Sequence, residues 1–241
     1  MISPRLKRKA RKELKKGDGD LSWRLVTVTD PGSDASEAYR TVRTNLFYAV
    51  VDAPLRVVAL TSAGPAEGKS TTCANLGVVL AQADKNTLII DCDFRNPVVH
   101  KFFGLRNFWG TVNVLTGEES PQDVWQEVLT PKLKVLTVGP IPPNPAEILS
   151  SERFANFVTQ VRHRFDYVLL DVPHIELFSD AAAVAAQADG TLLVLDAQST
   201  RRGDLRRAMR SLETVRSNIL GLVMNNAEVS KGSYYSAYTY A

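Results

Sequence analysis

The chain has 241 residues, 44% of them hydrophobic, and a formal net charge of +3. That is enough apolar material for one sizeable core, and the length suggests one domain or at most two. Its two cysteines, Cys73 and Cys92, sit inside apolar segments and make no disulfide framework, which suits a reducing compartment. No apolar run approaches the ~18–20 residues of a membrane span. The start, MISPRLKRKARKELKK, has no apolar stretch for a signal peptide. A soluble, cytoplasmic protein is the expectation.

The charge is unevenly spread. Residues 1–16 carry eight Lys or Arg and one Glu, so the other 225 residues share a net −4. Residues 1–30 read as a flexible basic arm, either simply solvated or offered to anionic lipid, nucleic acid or an acidic partner. A helical pattern covers about 34–51, with Asp34 and Glu37 spaced as a capping box. A continuously apolar strand follows at 56–62, then Ala63-Gly64-Pro65-Ala66-Glu67-Gly68-Lys69-Ser70-Thr71-Thr72, then a helix over 69–84.

Strand, loop and helix in that order are the setting of a Walker A phosphate loop, here with Ala63 in the first glycine position. Small residues and Gly68 let backbone N–H groups close around a β-phosphate, and the helix N-terminus adds favourable potential. Lys69 is placed for the β- and γ-phosphates and the Ser70 hydroxyl for Mg2+.

The next strand, 86–93, ends in Asp91-Cys92-Asp93-Phe94-Arg95. If the strand runs that far, Asp91 and Asp93 share a face and can act as metal-shell ligands or as a base, with Arg95 steadying carboxylate or phosphoryl charge. A helix is predicted at 121–129, a strand at 132–139, a proline-rich ordered loop at 140–145 and a helix at 151–164. The strand at 166–172 ends in Asp171, a Walker B arrangement that puts a carboxylate near the metal. Asp180 reads as the cap of a helix at 178–188, and His174 has no assigned role.

Strand 190–196 is followed by a helix at 201–216. Its Arg201, Arg202, Arg206, Arg207 and Arg210 oppose Leu205, Met209 and Leu212. That pattern fits a solvated face over a core stripe, or a docking surface for phosphotyrosine or a neighbour's acidic patch. The last strand, 219–225, ends at Asn225, where a base-reading amide fits. Four of the seven tyrosines then fall in the final eight residues: Tyr234, Tyr235, Tyr238 and Tyr240. With small polar spacers this segment buries little and is expected to be mobile.

Alternating β and α elements predict an α/β fold, a doubly wound, mainly parallel sheet flanked by helices. In this setting the chain resembles the bacterial tyrosine kinases that control capsule and exopolysaccharide production, over roughly residues 30–241. Ser62 to Thr71 matches that family's SxxPxxGKST loop, Asp91-Cys92-Asp93-Phe94-Arg95 its DxDxR motif, and Leu169-Leu170-Asp171 its Walker B strand. Glu37, Arg40 and Arg43 match its ExxRxxR helix, which packs subunits into a ring. Pro142-Pro143-Asn144-Pro145 and the tyrosine tail complete the set. Ala66 where glycine is common, and His174 in place of a second proline, are departures.

The resemblance implies a P-loop NTPase fold of the ParA/MinD-like type, with a kinase domain at 31–228 and a substrate tail at 229–241. It implies Mg·ATP on residues 64–71, with Lys69, Asp91, Asp93, Arg95 and Asp171 as the catalytic set and Asp91 as the leading base. Ser70, Asp91 and Asp171 form the metal shell. Autophosphorylation of the tail in a ring-shaped homo-oligomer is expected, with a separate transmembrane activator's cytoplasmic segment as partner. Nucleic acid is not expected as a partner. Membrane contact runs through the activator, with the basic arm able to add to it, and the kinase is peripheral at the inner face. Competing readings are a ParA/MinD-like positioning ATPase, which typically carries a lysine where Gly64 stands and lacks a tyrosine tail, and a silent nucleotide-binding scaffold.

Overall fold

The computed structural model describes residues 19–49, 55–175 and 179–228. In chain order the elements are helices α1 (Val26–Thr29) and α2 (Asp34–Tyr48), strand β1 (Val57–Ser62), helix α3 (Lys69–Gln82) and strand β2 (Thr87–Asp91). Short helices α4 (Val99–Phe102), α5 (Thr111–Thr116) and α6 (Pro121–Val124) lead to strands β3 (Gln126–Val128) and β4 (Thr130–Leu136). Helices α7 (Pro145–Leu149) and α8 (Glu152–Arg162), strand β5 (Tyr167–Asp171), helix α9 (Ser179–Ala185), strand β6 (Gly190–Asp196), helix α10 (Arg202–Thr214) and strand β7 (Ile219–Asn225) complete the chain.

The seven strands form one sheet in the order β3-β4-β2-β5-β1-β6-β7, parallel except for β3 against β4. The central strands are apolar throughout because each face has its own core. In β1, Val57 and Ala59 join the core beneath α8, α9 and α10, while Val58 and Leu60 join the one beneath α2 and α3. Helix α3 is buried on nearly every side and approaches β2 so closely that a Cβ on Gly77 would lie 2.5 Å from Ile89 Cδ1. Among the described residues no helix is long and apolar enough to cross a membrane.

Several expectations change. The helix predicted at 121–129 is one turn, α6, followed by the edge strand β3. Trp125 turns the chain and packs edge-on against Phe165 at 5.4 Å, and pairing with β4 outweighs local helical preference. Helix α2 is capped by Ser33, whose hydroxyl accepts from the Ser36 N–H at 3.3 Å, and not by an Asp34–Glu37 box. Pro145, expected in a loop, is the first residue of α7, where its missing N–H costs nothing. The packed body also begins before residue 31. Leu25 is fully buried, and Asn75 grips the segment by accepting from the Thr27 N–H (3.1 Å) and hydroxyl (2.8 Å) and donating to the Arg24 carbonyl (2.9 Å). The residues 1–18 of the basic arm and the four tail tyrosines lie outside the described residues.

Candidate functional site

β1 lies between β5 and β6; the connection from β1 runs past β5 to β2, whereas that from β5 runs the other way past β1 to β6, and a crevice opens at this reversal beyond the carboxyl ends of the strands. A cleft of about 1160 Å³ occupies that position. Its walls include the phosphate loop from Pro65 to Thr71, Asp93 and Arg95 after β2, and Asn225 at the end of β7.

The loop is shaped from within and braced from outside. Ser62 Oγ donates to the Gly64 carbonyl at 2.7 Å, and the Gly64 N–H donates to Glu67 Oε2 at 2.9 Å. Ala66 takes φ +61° and Gly68 φ +91°, the left-handed conformations that fold the loop back on itself. A side chain at Gly68 would collide with Asn225, whose Nδ2 would be 2.2 Å from the added Cβ. Asn225 Nδ2 donates to the Glu67 carbonyl at 2.9 Å and to Thr72 Oγ1 at 3.3 Å, so this residue buttresses the loop as well as lining the cleft. The Thr200 hydroxyl, from the β6–α10 connection, donates to Glu67 Oε1 and accepts from the Asp196 N–H at 2.9 Å.

Lys69 opens α3 amid three acids. Its Nζ lies 2.8 Å from Asp93 Oδ2, 3.1 Å from Ser70 Oγ and 3.6 Å from Asp171 Oδ1. Asp91 and Asp171 are paired residues of adjacent parallel strands, and both are fully buried. Burial alone would lower the Lys69 ammonium, but Asp171 and Asp93 outweigh it and hold it above its ordinary value. Burial raises Asp91 well above the carboxylate range, with the Asp171 charge adding to it and Lys69 opposing it. Asp171 is raised by burial too, with Lys69 and Ser70 opposing.

Strand β2 stops at Asp91, so Asp91 and Asp93 do not share a strand face as the sequence suggested. Instead Asp91 Oδ1 accepts from the Asp93 N–H and Oδ2 from the Val99 N–H, both at 3.1 Å, fixing the turn into α4. That turn aims Asp93 at Lys69. Asp180 is more than a cap: it is fully buried, and its Oδ2 receives Arg95 Nε at 3.0 Å. On α2, Glu37 and Arg40 pair at 2.8 Å, Arg40 also donates to the Pro31 carbonyl, and Arg43 donates to the Val79 carbonyl at 3.2 Å. Trp23, Tyr39 and Lys101 join the cleft wall, and Tyr39 touches Thr72. No spacing signal marked these residues or Thr200, because they reach the site from remote elements.

The residues fit a divalent cation bound with phosphate. Both carboxylate oxygens of Asp171 are buried without a hydrogen-bond partner, beside the Ser70 hydroxyl. Among the described residues no group of three or more His, Cys, Asp or Glu forms a metal cage, so an ion held here takes its remaining ligands from phosphate or water.

The ParA family model, described as NUBPL iron-transfer P-loop NTPase, matches residues 55–236. Tyrosine-protein kinase YwqD of Bacillus subtilis is 42% identical over 226 residues, covering 93% of this chain and 95% of that protein. Tyrosine-protein kinase wzc of Salmonella typhimurium is 34% identical over 205 residues, 85% of this chain but 27% of the longer protein. The crystal structure of the chimerical protein CapA2B2 superposes with a TM-score of 0.82 at 30% identity, over 92% of this chain and 99% of that one. With the phosphate loop, the paired strand-end aspartates and these likenesses together, the chain belongs to the ParA-type P-loop NTPases and, among them, to the bacterial tyrosine kinases.

Proposed function

We propose that this tyrosine kinase is an autokinase. It uses Mg·ATP to phosphorylate Tyr234, Tyr235, Tyr238 and Tyr240 of a neighbouring copy in a ring-shaped homo-oligomer, and so regulates capsule or exopolysaccharide synthesis and export. The observation that carries this is the Lys69 ammonium set among Asp91, Asp93 and Asp171 at the floor of a cleft lined by the phosphate loop. The proposed partner is the cytoplasmic segment of a separate transmembrane activator, which keeps the kinase at the inner face of the membrane. In support, YwqD is matched along almost its whole length, whereas the longer wzc carries the matching region as about a quarter of its chain. Glu37, Arg40 and Arg43 on α2 are the proposed subunit contacts, and the basic arm adds to membrane contact.

Backbone N–H groups of residues 66–69 hold the β-phosphate, and Lys69 exchanges its contact with Asp93 for the β- and γ-phosphates. Ser70 and Asp171, with Asp91 behind them, are the residues that would hold Mg2+, which when bound would neutralise phosphate charge. The phenol oxygen bonds to the γ-phosphorus as the bond to the β,γ-bridging oxygen breaks. ADP leaves, and the phenolic proton passes to a carboxylate of the cluster. Arg95, steadied by Asp180, faces the transferred charge.

Burial raises Asp91 well above the usual carboxylate range, which strengthens it as a proton acceptor. It is also enclosed, with a backbone N–H at each oxygen, whereas Asp93 lines the cleft. This favours Asp93 as the group that first meets the phenol and Asp91 as its support.

The test is incubation of the full chain with γ-labelled ATP and Mg2+, with and without an activator segment, beside Lys69→Met and the fourfold tail Tyr→Phe variant. Label on the tyrosines of the parent alone is expected. Phosphate release without protein label would instead make the chain a ParA/MinD-like switch ATPase.

A further inference from the structure

Helix α10 carries charge that the site does not use. Its inner face is fixed by Leu205, Ala208, Met209 and Leu212, which pack on the core under β6. Arg202, Arg206 and Arg210 recur every four residues along its exposed side. Like charges at that spacing repel one another. Asp204 does not relieve them, because it pairs with Arg207 at 2.5 Å. Among the described residues these three arginines form no ion pair, and a row of unneutralised guanidinium groups is a surface for a multiply charged anion.

The position of the row says which anion is nearest. The end of β7 is tied to the connection that leads into α10. The Ala197 N–H donates to the Asn225 carbonyl at 2.9 Å, Gln198 Nε2 donates to the Asn226 carbonyl at 3.4 Å, and Asn226 Nδ2 donates to Asp196 at 2.8 Å. The segment beyond residue 228 therefore leaves the body within a few residues of the start of α10. From there about 20 Å of extended chain reaches Tyr234 and about 40 Å reaches Tyr240, while α10 itself is about 20 Å long. All four tail tyrosines are within tether of the row.

We propose that Arg202, Arg206 and Arg210 form a docking surface for the phosphorylated tail of the same chain. Unmodified, the segment from Tyr234 to Ala241 carries no charged side chain and has no reason to lie there. Each phosphotyrosine adds about −1.5 to −2 charges and three strong acceptor oxygens. Tethering keeps the local concentration of the phosphates at about millimolar. Capture on α10 draws the modified tail away from the acidic cleft, so the product of one transfer is cleared from the site that made it. This rests on the autokinase assignment above for its biological sense, though the docking itself can be measured without it.

The test uses a fluorescent synthetic peptide of residues 229–241 phosphorylated at all four tyrosines, and its unphosphorylated twin. The protein is the full chain with its four tail tyrosines changed to Phe, so that its own tail cannot compete. Binding is read by anisotropy at low and high salt. The phosphopeptide is expected to bind at least about tenfold more tightly than its twin, more weakly as salt rises. The added substitutions Arg202→Gln, Arg206→Gln and Arg210→Gln should cost about tenfold or more in affinity, while the corresponding Lys triple retains most of it and thermal unfolding is unchanged in both. Equal binding of phosphopeptide by the Gln triple and its parent overturns the proposal. So does a Gln triple that loses only its affinity for phosphatidylserine-containing vesicles, which would make the row a membrane contact. Because the peptide is made chemically, failure of self-labelling with γ-labelled ATP refutes the autokinase assignment without altering this measurement.

Discussion

Lys69→Met is expected to unfold the apo protein more easily as well as to abolish phosphoryl transfer, and the size of that loss follows from the acids around it. The Lys69 side chain is 13% exposed, Asp93 8% and Asp171 0%. Removing one partner from such a buried charged group costs about 3–5 kcal/mol, because the remaining charges are left without compensation. At about 2–4 °C per kcal/mol for a chain of this size, the melting temperature should fall by about 6–20 °C.

The pH dependence gives the sharper test. The raised Lys69 value means that its contribution is fully present below the ordinary lysine range and is lost only as pH rises through the folded-state value. It therefore adds no slope near neutrality. Asp91 and Asp171 have folded values above their unfolded ones, so the native state holds more protons and stability falls as pH rises through that interval. Without the ammonium both carboxylates are pushed further up. The deficit of Lys69→Met should be largest near pH 8 and shrink toward about pH 5, where the carboxylates take up protons. Thermal unfolding of the apo protein across that range, with Lys69→Arg as a charge-preserving comparison, measures it. A Lys69→Met protein as stable as its parent at pH 8 would refute the account of a lysine holding three acids together.

Asp171→Asn should do the reverse, raising apo stability by about 1–2 kcal/mol while removing tyrosine labelling, since three acids share the one Lys69 ammonium and a buried carboxylate is replaced by a neutral group. Paired denaturant melts and labelling assays read both effects, and a destabilised Asn variant would count against the reasoning. Gly68→Ala forces a Cβ against Asn225 at φ +91°, so a loss of about 1–3 kcal/mol and a large drop in nucleotide affinity are expected by melting and titration calorimetry. Thr200→Val deletes the hydroxyl that holds Glu67. Nucleotide affinity should fall by about tenfold while the fold remains intact by circular dichroism.

What was legible in the sequence depended on distance along the chain. The phosphate loop could be read because strand, Gly68-Lys69-Ser70 and helix are contiguous, and Asp171 because an apolar strand delivers it to the sheet end. The β3 edge strand could not, because its partner β4 decides its conformation against a local helical pattern. The bracing of the loop by Thr200 joins residues 133 positions apart, and the clamp of Asp180 on Arg95 joins residues 85 apart. Neither leaves a periodic trace. The same distinction explains the two aspartates of the DxDxR motif. Their spacing was plain, but whether they share a face depended on where β2 stops. Its end at Asp91 separates a buried turn-former from an acid that faces the cleft. A motif here names the chemical groups present, and the termination of a strand by non-local packing decides which of them can meet a substrate.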